Sequence, residues 1–320
     1  MKKENKESLS RRKLSLSGLT CSNRRAVKKN APHFLGSSKK RLETTGCFGQ
    51  SIAKVFIYLF LILGSLLMIF PFIWMILTSF KTHAEAIMFP PKFWPASFSF
   101  LNYREAFSMA PFGKYFINSV IVMVLSVLTT TTTTILGAFA FSKLKFPGRS
   151  IIFSILLSLM MIPFEMLIIT NYTTIVKLKL YNTIPALVMP FISSIFYTYI
   201  LKNFFDTISD SLYYSARIDG ASNWIYLWRI MVPIAKPSIF TIILLNALSS
   251  WNSFMWPLYV TSDAKSRTLP YGLQVFTTEA ASYSEYLMAA STIVVLPMII
   301  LFILTRKYIV NGVSTGGLKG

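Results

Sequence analysis

The sequence predicts an all-α polytopic membrane protein with six transmembrane helices and both termini in the cytoplasm. Three observations lead there. The 320 residues are 53% hydrophobic and only 14% charged, against about 25% charge in soluble domains, and the mean hydropathy is +0.55. Six stretches are long and uncharged enough to cross a ~30 Å hydrocarbon core, which takes about 20 helical residues. The basic residues between those stretches are unevenly shared, and loop charge sets orientation.

The N-terminal segment stands apart. Residues 1–54 hold 14 Lys/Arg against Glu4, Glu7 and Glu43, whereas the remaining 266 hold 18 against nine acids. The basic excess is thus concentrated in a polar tail and not in a nucleic-acid-binding fold. Residues 1–50 carry few aromatics and many Lys, Ser and Asn, so they cannot bury enough surface to fold alone. A disordered tail is the expectation, and loose attraction to anionic lipid heads is its functional alternative. Residues 14–20 are too short and too rich in Ser for a secretory signal. Cys21 and Cys47, both in this tail, stay reduced in a cytoplasmic setting and are assigned no role.

The expected spans are 55–80 between Lys54 and Lys81, 115–142 between Lys114 and Lys143, and 151–176, interrupted only by Glu165. They continue with 180–201 between Lys179 and Lys202, 237–262, and 286–305, which Arg306 and Lys307 close. Each is too long and too uniformly apolar for a barrel strand, which has about 10 residues of alternating polarity. With the N-terminus inside, the cytoplasmic segments collect 24 Lys/Arg and the outer ones eight. The domain plan is a tail, 1–50, and a transmembrane domain, 51–320.

Features inside the spans have structural readings. The Thr run at 129–134 can return its hydroxyls to carbonyls one turn back and allow close helix packing. Pro71, Pro163, Pro190 and Pro297 are read as kinks, and Trp94, Tyr103, Trp256 and Tyr308 as interface anchors. Glu165 is the one acid well inside an apolar stretch. Such groups face cavities or partners, so it belongs either to a structural, interfacial hydrogen bond or to a translocation path. Asn246, Trp251 and Asn252 pair amides with an aromatic face, the combination that binds sugars, although helix–helix hydrogen bonding accounts for them equally.

Reactive chemistry is thin. His33 and His83 are the two histidines, no HExxH or Cys cluster suits a metal, and no GxxxxGK[ST] or GxGxxG is present to cradle nucleotide phosphates. No catalytic or metal-binding residue is assigned, and any ATP used must be bound elsewhere.

The segment 205–236 is unlike an ordinary connector. Ile208, Leu212, Ser215 and Ala216 share a helical face by spacing. Gly220 can end that helix in a left-handed conformation, and Asp219 or Ser222 can cap the next, whose face would be Ile225, Trp228 and Val232. Within it, Tyr214-Ser215-Ala216-Arg217-Ile218-Asp219-Gly220-Ala221, followed by Pro233, resembles the EAA loop of bacterial binding-protein-dependent ABC importers. The A-R-I-D-G-A core is intact, while Tyr214 and Ser215 replace the family's leading Glu and first Ala. Other stretches are similar to the carbohydrate-uptake branch, the maltose-type second permease. These are Thr78-Ser79-Phe80-Lys81, Asn102-Tyr103, Trp251-Asn252-Ser253-Phe254, Trp256-Pro257-Leu258, Thr268-Leu269-Pro270 and the Gly-rich ending from Gly312.

The resemblance implies the type I ABC importer permease fold in the bacterial cell membrane, with 205–236 as the ATPase-coupling loop. Gly312, Gly316, Gly317 and Lys319 would lie in a C-terminal tail that touches the ATPase. It implies a related second permease, an ATPase dimer that holds ATP and Mg, an extracellular solute-binding protein, and a sugar or oligosaccharide as cargo. Glycerol phosphates or another small polar solute are the alternative within the family. A secondary carrier or channel, which would show inverted repeats or more intramembrane charge, and a membrane enzyme are the alternatives outside it.

Overall fold

The computed structural model describes residues 40–278 and 283–316, with side chains from 54 to 276 and from 283 to 305. Helices are the only regular structure among them. They are α1 (Lys40–Thr78), α2 (His83–Ala86), α3 (Leu101–Met109), α4 (Phe112–Lys143), α5 (Arg149–Leu159), α6 (Phe164–Lys177), α7 (Ile184–Val188) and α8 (Ile195–Asp206). Then follow α9 (Asp210–Ile218), α10 (Asn223–Tyr226), α11 (Val232–Ile234), α12 (Lys236–Trp251), α13 (Met255–Val260), α14 (Leu273–Thr278) and α15 (Ser284–Gly316). The chain forms two compact units that meet at Pro71. The first contains α1 up to Pro71; its backbone is already helical from Lys40, inside the segment expected to be an unfolded tail. The second runs from Phe72 onward.

Three helices are each long and apolar enough to cross a membrane: 54–78 of α1, α4, and 284–305 of α15. Three more segments reach that length only as pairs bent at a break: α5 with α6 by 97°, Ile184–Phe191 with α8 by 47°, and Asn223–Ile234 with α12 by 81°. The uninterrupted spans expected at 151–176 and 180–201 are therefore broken, and the one expected at 237–262 is divided at Asn252 into α12 and α13. Proline chemistry accounts for one of the breaks. Proline has no N–H to donate and drives the residue before it out of the helical region. Pro163 accordingly stands at the N-cap of α6. Pro190 sits in the 3-10 turn Met189–Phe191 that continues α7, with Met189 before it still helical, so the break ahead of α8 comes after it. Pro71 and Pro297 lie within α1 and α15.

α4 is the axis of the second unit. It packs along α8 and α12, while α15 lies against α12 and α3. Its C-terminal half shares a core with α8, α10 and α12 through Ala138, Phe139, Leu201, Phe205, Tyr226, Met231 and Ile242. A second core joins the start of α4 to α3, α14 and α15, and a third joins Val122 to α6, α7 and α13. Gly137 sits so close to α8 that a Cβ there would stand 3.2 Å from Thr198.

The threonine run serves the broken neighbour. Thr129, Thr132 and Thr133 do donate to carbonyls one turn back. In addition Thr130 Oγ1 donates to the Phe191 carbonyl at 2.6 Å and Thr133 Oγ1 to the Ile192 carbonyl at 2.7 Å. Those carbonyls flank the break before α8, where the backbone ladder is interrupted. A polar backbone group in an apolar setting needs a partner, and α4 supplies it.

The expected interface anchors divide. Trp94 is 65% exposed. Trp256 is buried, with its Nε1 donating to the Ala186 carbonyl at 3.0 Å, and Tyr103 shares a 2.7 Å hydrogen bond with Ser79 Oγ. The side chain of Tyr308 lies outside the described residues.

Replacing Thr130 by Val should lower stability by about 1 kcal/mol, since interhelical hydrogen bonds in membranes average roughly 0.6 and reach about 1.7 kcal/mol. Thr132→Val, which loses only a bond within α4, should change little. Thermal unfolding of the purified subunit in detergent measures the difference; equal melting temperatures for the two variants would contradict it.

Candidate functional site around Asp219 and Gly220

The segment 205–236 folds as two short helices joined by a turn. α9 ends in a Schellman motif, in which the residue after the C-cap adopts a left-handed conformation and two amides turn back to satisfy the last carbonyls. Asp219 is the C-cap, Gly220 has φ +82°, its N–H donates to the Arg217 carbonyl at 3.2 Å, and the Ala221 N–H donates to Ala216 at 2.9 Å. No atom of the chain lies within 4 Å of where a Cβ on Gly220 would be. The requirement for glycine is therefore set by backbone conformation and not by crowding within the chain.

Asp219 does not cap the next helix. Ser222 is the N-cap of α10, its side chain accepting from the Ile225 N–H at 3.3 Å. Serine takes the position because its short hydroxyl reaches the N3 amide from an extended residue, whereas Asp219 is already in the helical turn that closes α9. Arg217 closes the turn further, its guanidinium donating to the Ala221 carbonyl at 3.1 Å. Tyr213 bridges the two helices, its hydroxyl donating to Asn223 Oδ1 at 2.9 Å.

The buried faces are shifted from those expected. On α9 the inward residues are Tyr213 and Ala216, while Leu212 and Ser215 are exposed and Ile208 is buried just before the helix starts. After α10 the backbone takes a π turn, Leu227–Met231, which inserts one residue per turn and rotates the face. Tyr226, Leu227 and Met231 therefore enter the core, with Ile225 exposed and Trp228 and Val232 half-buried. Pro233 stands exposed in α11. Burying each large apolar side chain is worth about 1.5–3 kcal/mol over leaving it in water, so the helix pair is held to the bundle. Exposed apolar residues remain around the turn: Ile218 at 86% and Trp224 at 62% exposure.

Polar contacts fix the base of the loop. Lys143, at the end of α4, is buried; its Nζ donates to Asp210 Oδ1 and to the Ile208 carbonyl, both at 2.7 Å. Ser142 Oγ donates to Asp206 Oδ1 at 2.7 Å, and Lys202 pairs with Asp206 at 2.6 Å. Lys143, through its hydrogen bond and charge, holds the Asp210 carboxyl below its usual range. The Asp210 carboxylate accordingly keeps its charge through neutral pH, and its bond to Lys143 weakens as pH falls through that lowered value. Tyr214 is exposed and lies under Lys145, whose Nζ is 5.7 Å from the ring centre. A cleft of about 440 Å³ opens between them, lined by Lys143, Leu144, Lys145, Phe146, Tyr213, Tyr214 and Asn223.

The other expected site residues separate. Glu165 is exposed in the first turn of α6, where a carboxylate faces the positive end of the helix dipole. Asn246 is buried in α12. Trp251 is committed to the core, donating from Nε1 to the Val294 carbonyl at 3.2 Å. Asn252 alone of that trio reaches open space, beside Phe254, Pro270, Leu273, Gln274 and Val294 around a cleft of about 360 Å³. Gly312 and Gly316 fall on the α15 backbone, and Gly317 and Lys319 lie outside the described residues.

Sequence reasoning counted Lys143 only as a loop charge and assigned nothing to Asp206 or Asp210. A lysine at the last position of an uncharged run, with acids some 65 residues later, gave no local signal. It also left two motif stretches unconnected. Asn102 Nδ2 donates to the carbonyls of Ser79 and Lys81, both at 2.8 Å, so 78–81 and 102–103 form one cluster. Lys81 is folded inward there, its Nζ donating to the Lys92 carbonyl at 2.7 Å, and burial lowers its pKa.

Apolar helices of spanning length, three broken pairs and a helix–turn–helix seated on one end of the axis are the features of a multi-pass integral membrane protein. The chain belongs to the family of the binding-protein-dependent transport system inner membrane component, whose profile matches residues 133–315. It is 31% identical to the inner membrane ABC transporter permease protein YcjP of Escherichia coli, over 85% of this chain and 98% of that protein. It is 35% identical to the trehalose/maltose transport system permease protein MalG of Thermococcus litoralis, over 81% and 96%. Identity to the arabinooligosaccharides transport system permease protein AraQ of Bacillus subtilis is 31%, over 84% and 97%. A solved bacterial ABC transporter involved in the import of the acidic polysaccharide alginate shares the fold, with a TM-score of 0.67 over 87% of this chain and 99% of that one at 24% identity.

Ser222→Ala should loosen the start of α10 by about 1 kcal/mol, the usual worth of a serine N-cap, whereas Asp219→Ala should leave that start intact. Amide hydrogen exchange at Ile225 separates them; faster exchange in the Asp219 variant and not in the Ser222 variant would reverse the assignment.

Proposed function

We propose that this chain is one of two permease subunits of an ATP-driven importer and forms half of the path for a sugar or oligosaccharide. Family membership carries the permease role. The cargo class is supported by relatives whose names specify trehalose, maltose and arabinooligosaccharides. The second, related permease, the ATPase pair holding ATP and Mg, and an external solute-binding protein complete the reading. A bacterial alginate ABC transporter solved with an alginate pentasaccharide-bound periplasmic protein supports the last of these.

In this reading the six spans are α1, α4, α5 with α6, the pair ending in α8, α12 with α13, and α15, and both termini are cytoplasmic. The charge count of 24 against eight supports that orientation. Asn252 and Phe254 border the path at the break between α12 and α13, since irregular backbone at membrane depth is tolerated where it is buried in protein or lines a water-filled cavity. Glu165 belongs to the same path, and the tail from Gly312 reaches the ATPase. With the native cysteines replaced, an impermeant thiol reagent on intact cells should label a cysteine at 265 and spare one at 219. The opposite pattern would invert the topology.

The turn at Gly220 carries the coupling role. A loop that transmits ATPase closure needs a fixed shape, and the left-handed residue at its centre provides one. Its surface includes Ile218 and Trp224, exposed and apolar, for insertion into a partner. Gly220→Val adds a penalty of about 1–2 kcal/mol in that conformation and places a branched side chain on the docking face. The variant should insert normally yet lose the ATPase or stop importing. Uptake and ATPase retention at wild-type levels would remove the loop from the mechanism.

A further inference from the structure

The bonds at the base of the loop converge on one corner. Asp206 is the last residue of α8, Asp210 the first of α9, and Ile208 lies between them. All three are held by the final two residues of α4: Ser142 on Asp206, and Lys143 on Ile208 and Asp210. Arg149 fastens the same end of α4 from the other side, its Nη1 donating to the carbonyls of Ser142 and Leu144, both at 3.1 Å. The side-chain exposure is lopsided, 3% for Lys143 and 72% for Asp210. The lysine is therefore the group that has given up water, and it can do so only while the corner stays in place, because an ammonium buried without its acceptors is strongly disfavoured.

We infer that Lys143 is the positioning residue that locks the angle between α9 and the axis helix α4, so that displacement of the docking turn is passed to α4 instead of being absorbed at the 206–210 corner. This rests on the coupling role proposed for the Gly220 loop. A flexible corner would let the helix pair rock on its hydrophobic seat while the spans stayed still. Two charge-assisted bonds from one buried cation to both sides of Ser209 remove that freedom. The asymmetry also fixes the division of labour. Loss of Asp210 leaves Lys143 its carbonyl partner and exposure to water beside an already solvated position, whereas loss of Lys143 frees Ile208 and Asp210 together and leaves α4 only the Ser142 bond to Asp206.

The test uses the complete importer, with its second permease, ATPase pair and binding protein, reconstituted in lipid. Three quantities are read: ATPase retained on purification, ATP hydrolysis with and without loaded binding protein, and solute imported per ATP. Lys143→Met should retain the ATPase but lower the stimulated-to-basal ratio and the import yield at least ~5-fold, the lower end of typical allosteric couplings. Lys143→Arg, which restores the charge, should recover most of that loss. Asp210→Asn should give a smaller loss of the same kind, and it remains readable should the Lys143→Met chain fail to assemble.

Unchanged stimulation in an assembled Lys143→Met complex, or in Asp210→Asn when Lys143→Met does not assemble, overturns the inference. If Gly220→Val uncouples transport while Lys143→Met does not, only the role of Lys143 is lost. If both remain coupled, the loop reading fails and the role of Lys143 fails with it.

Discussion

The constraint beneath this architecture is that backbone groups in an apolar environment must find partners inside the protein. Unbroken helices meet it alone. Here three of the segments of spanning length are bent pairs, and each break frees donors or acceptors. The axis helix α4 supplies partners along its length. Ser119 near its start accepts from the Leu269 N–H at 2.7 Å, and Asn118 donates to the carbonyls of Lys265 and Arg267, both at 2.9 Å. Thr130 and Thr133 in its middle serve the carbonyls before α8, and Lys143 at its end serves Ile208. One regular helix with small polar residues at intervals is what allows its neighbours to be irregular.

That division explains what the sequence did and did not disclose. Hydropathy averages over many residues and tolerates local error, so the apolar stretches marked where helices of spanning length fall; three such helices stand unbroken among the described residues, and three more segments reach that length only as bent pairs. Breaks at Met160, Ile192 and Asn252 were not legible in the same way. A proline announces itself, but not whether it bends a helix, as was expected of Pro163 and Pro190, or stands at its edge: Pro163 is the N-cap of α6, while the carbonyls of Phe191 and Ile192 just after Pro190 are served from α4 by Thr130 and Thr133. The threonine run illustrates the point: its local hydrogen bonds were foreseen, while the bonds to residues 61 and 59 positions away were not.

The loop shows the same split at a finer scale. Gly220 was identified from residue type, because a left-handed residue ending a helix has a strong preference for glycine. The buried face after α10 was misplaced because the spacing argument assumed 3.6 residues per turn, and the π turn at 227–231 breaks that count. Lys143 was missed for a third reason. Long-range pairing of a buried cation with a carbonyl and an exposed carboxylate leaves no periodic trace, only a charge at the end of an apolar run.

The broken segments also bear on how the chain enters its membrane. α5 has 11 residues and α6 has 14, lengths of about 16 Å and 21 Å at 1.5 Å per residue. Neither half crosses a ~30 Å core by itself, and the two meet at 97°. They cannot be released into lipid one at a time as independent hydrophobic units. As one bent unit the pair finds its packing surfaces on α4, α8 and α13, so its place in the membrane depends on packing as much as on hydrophobicity.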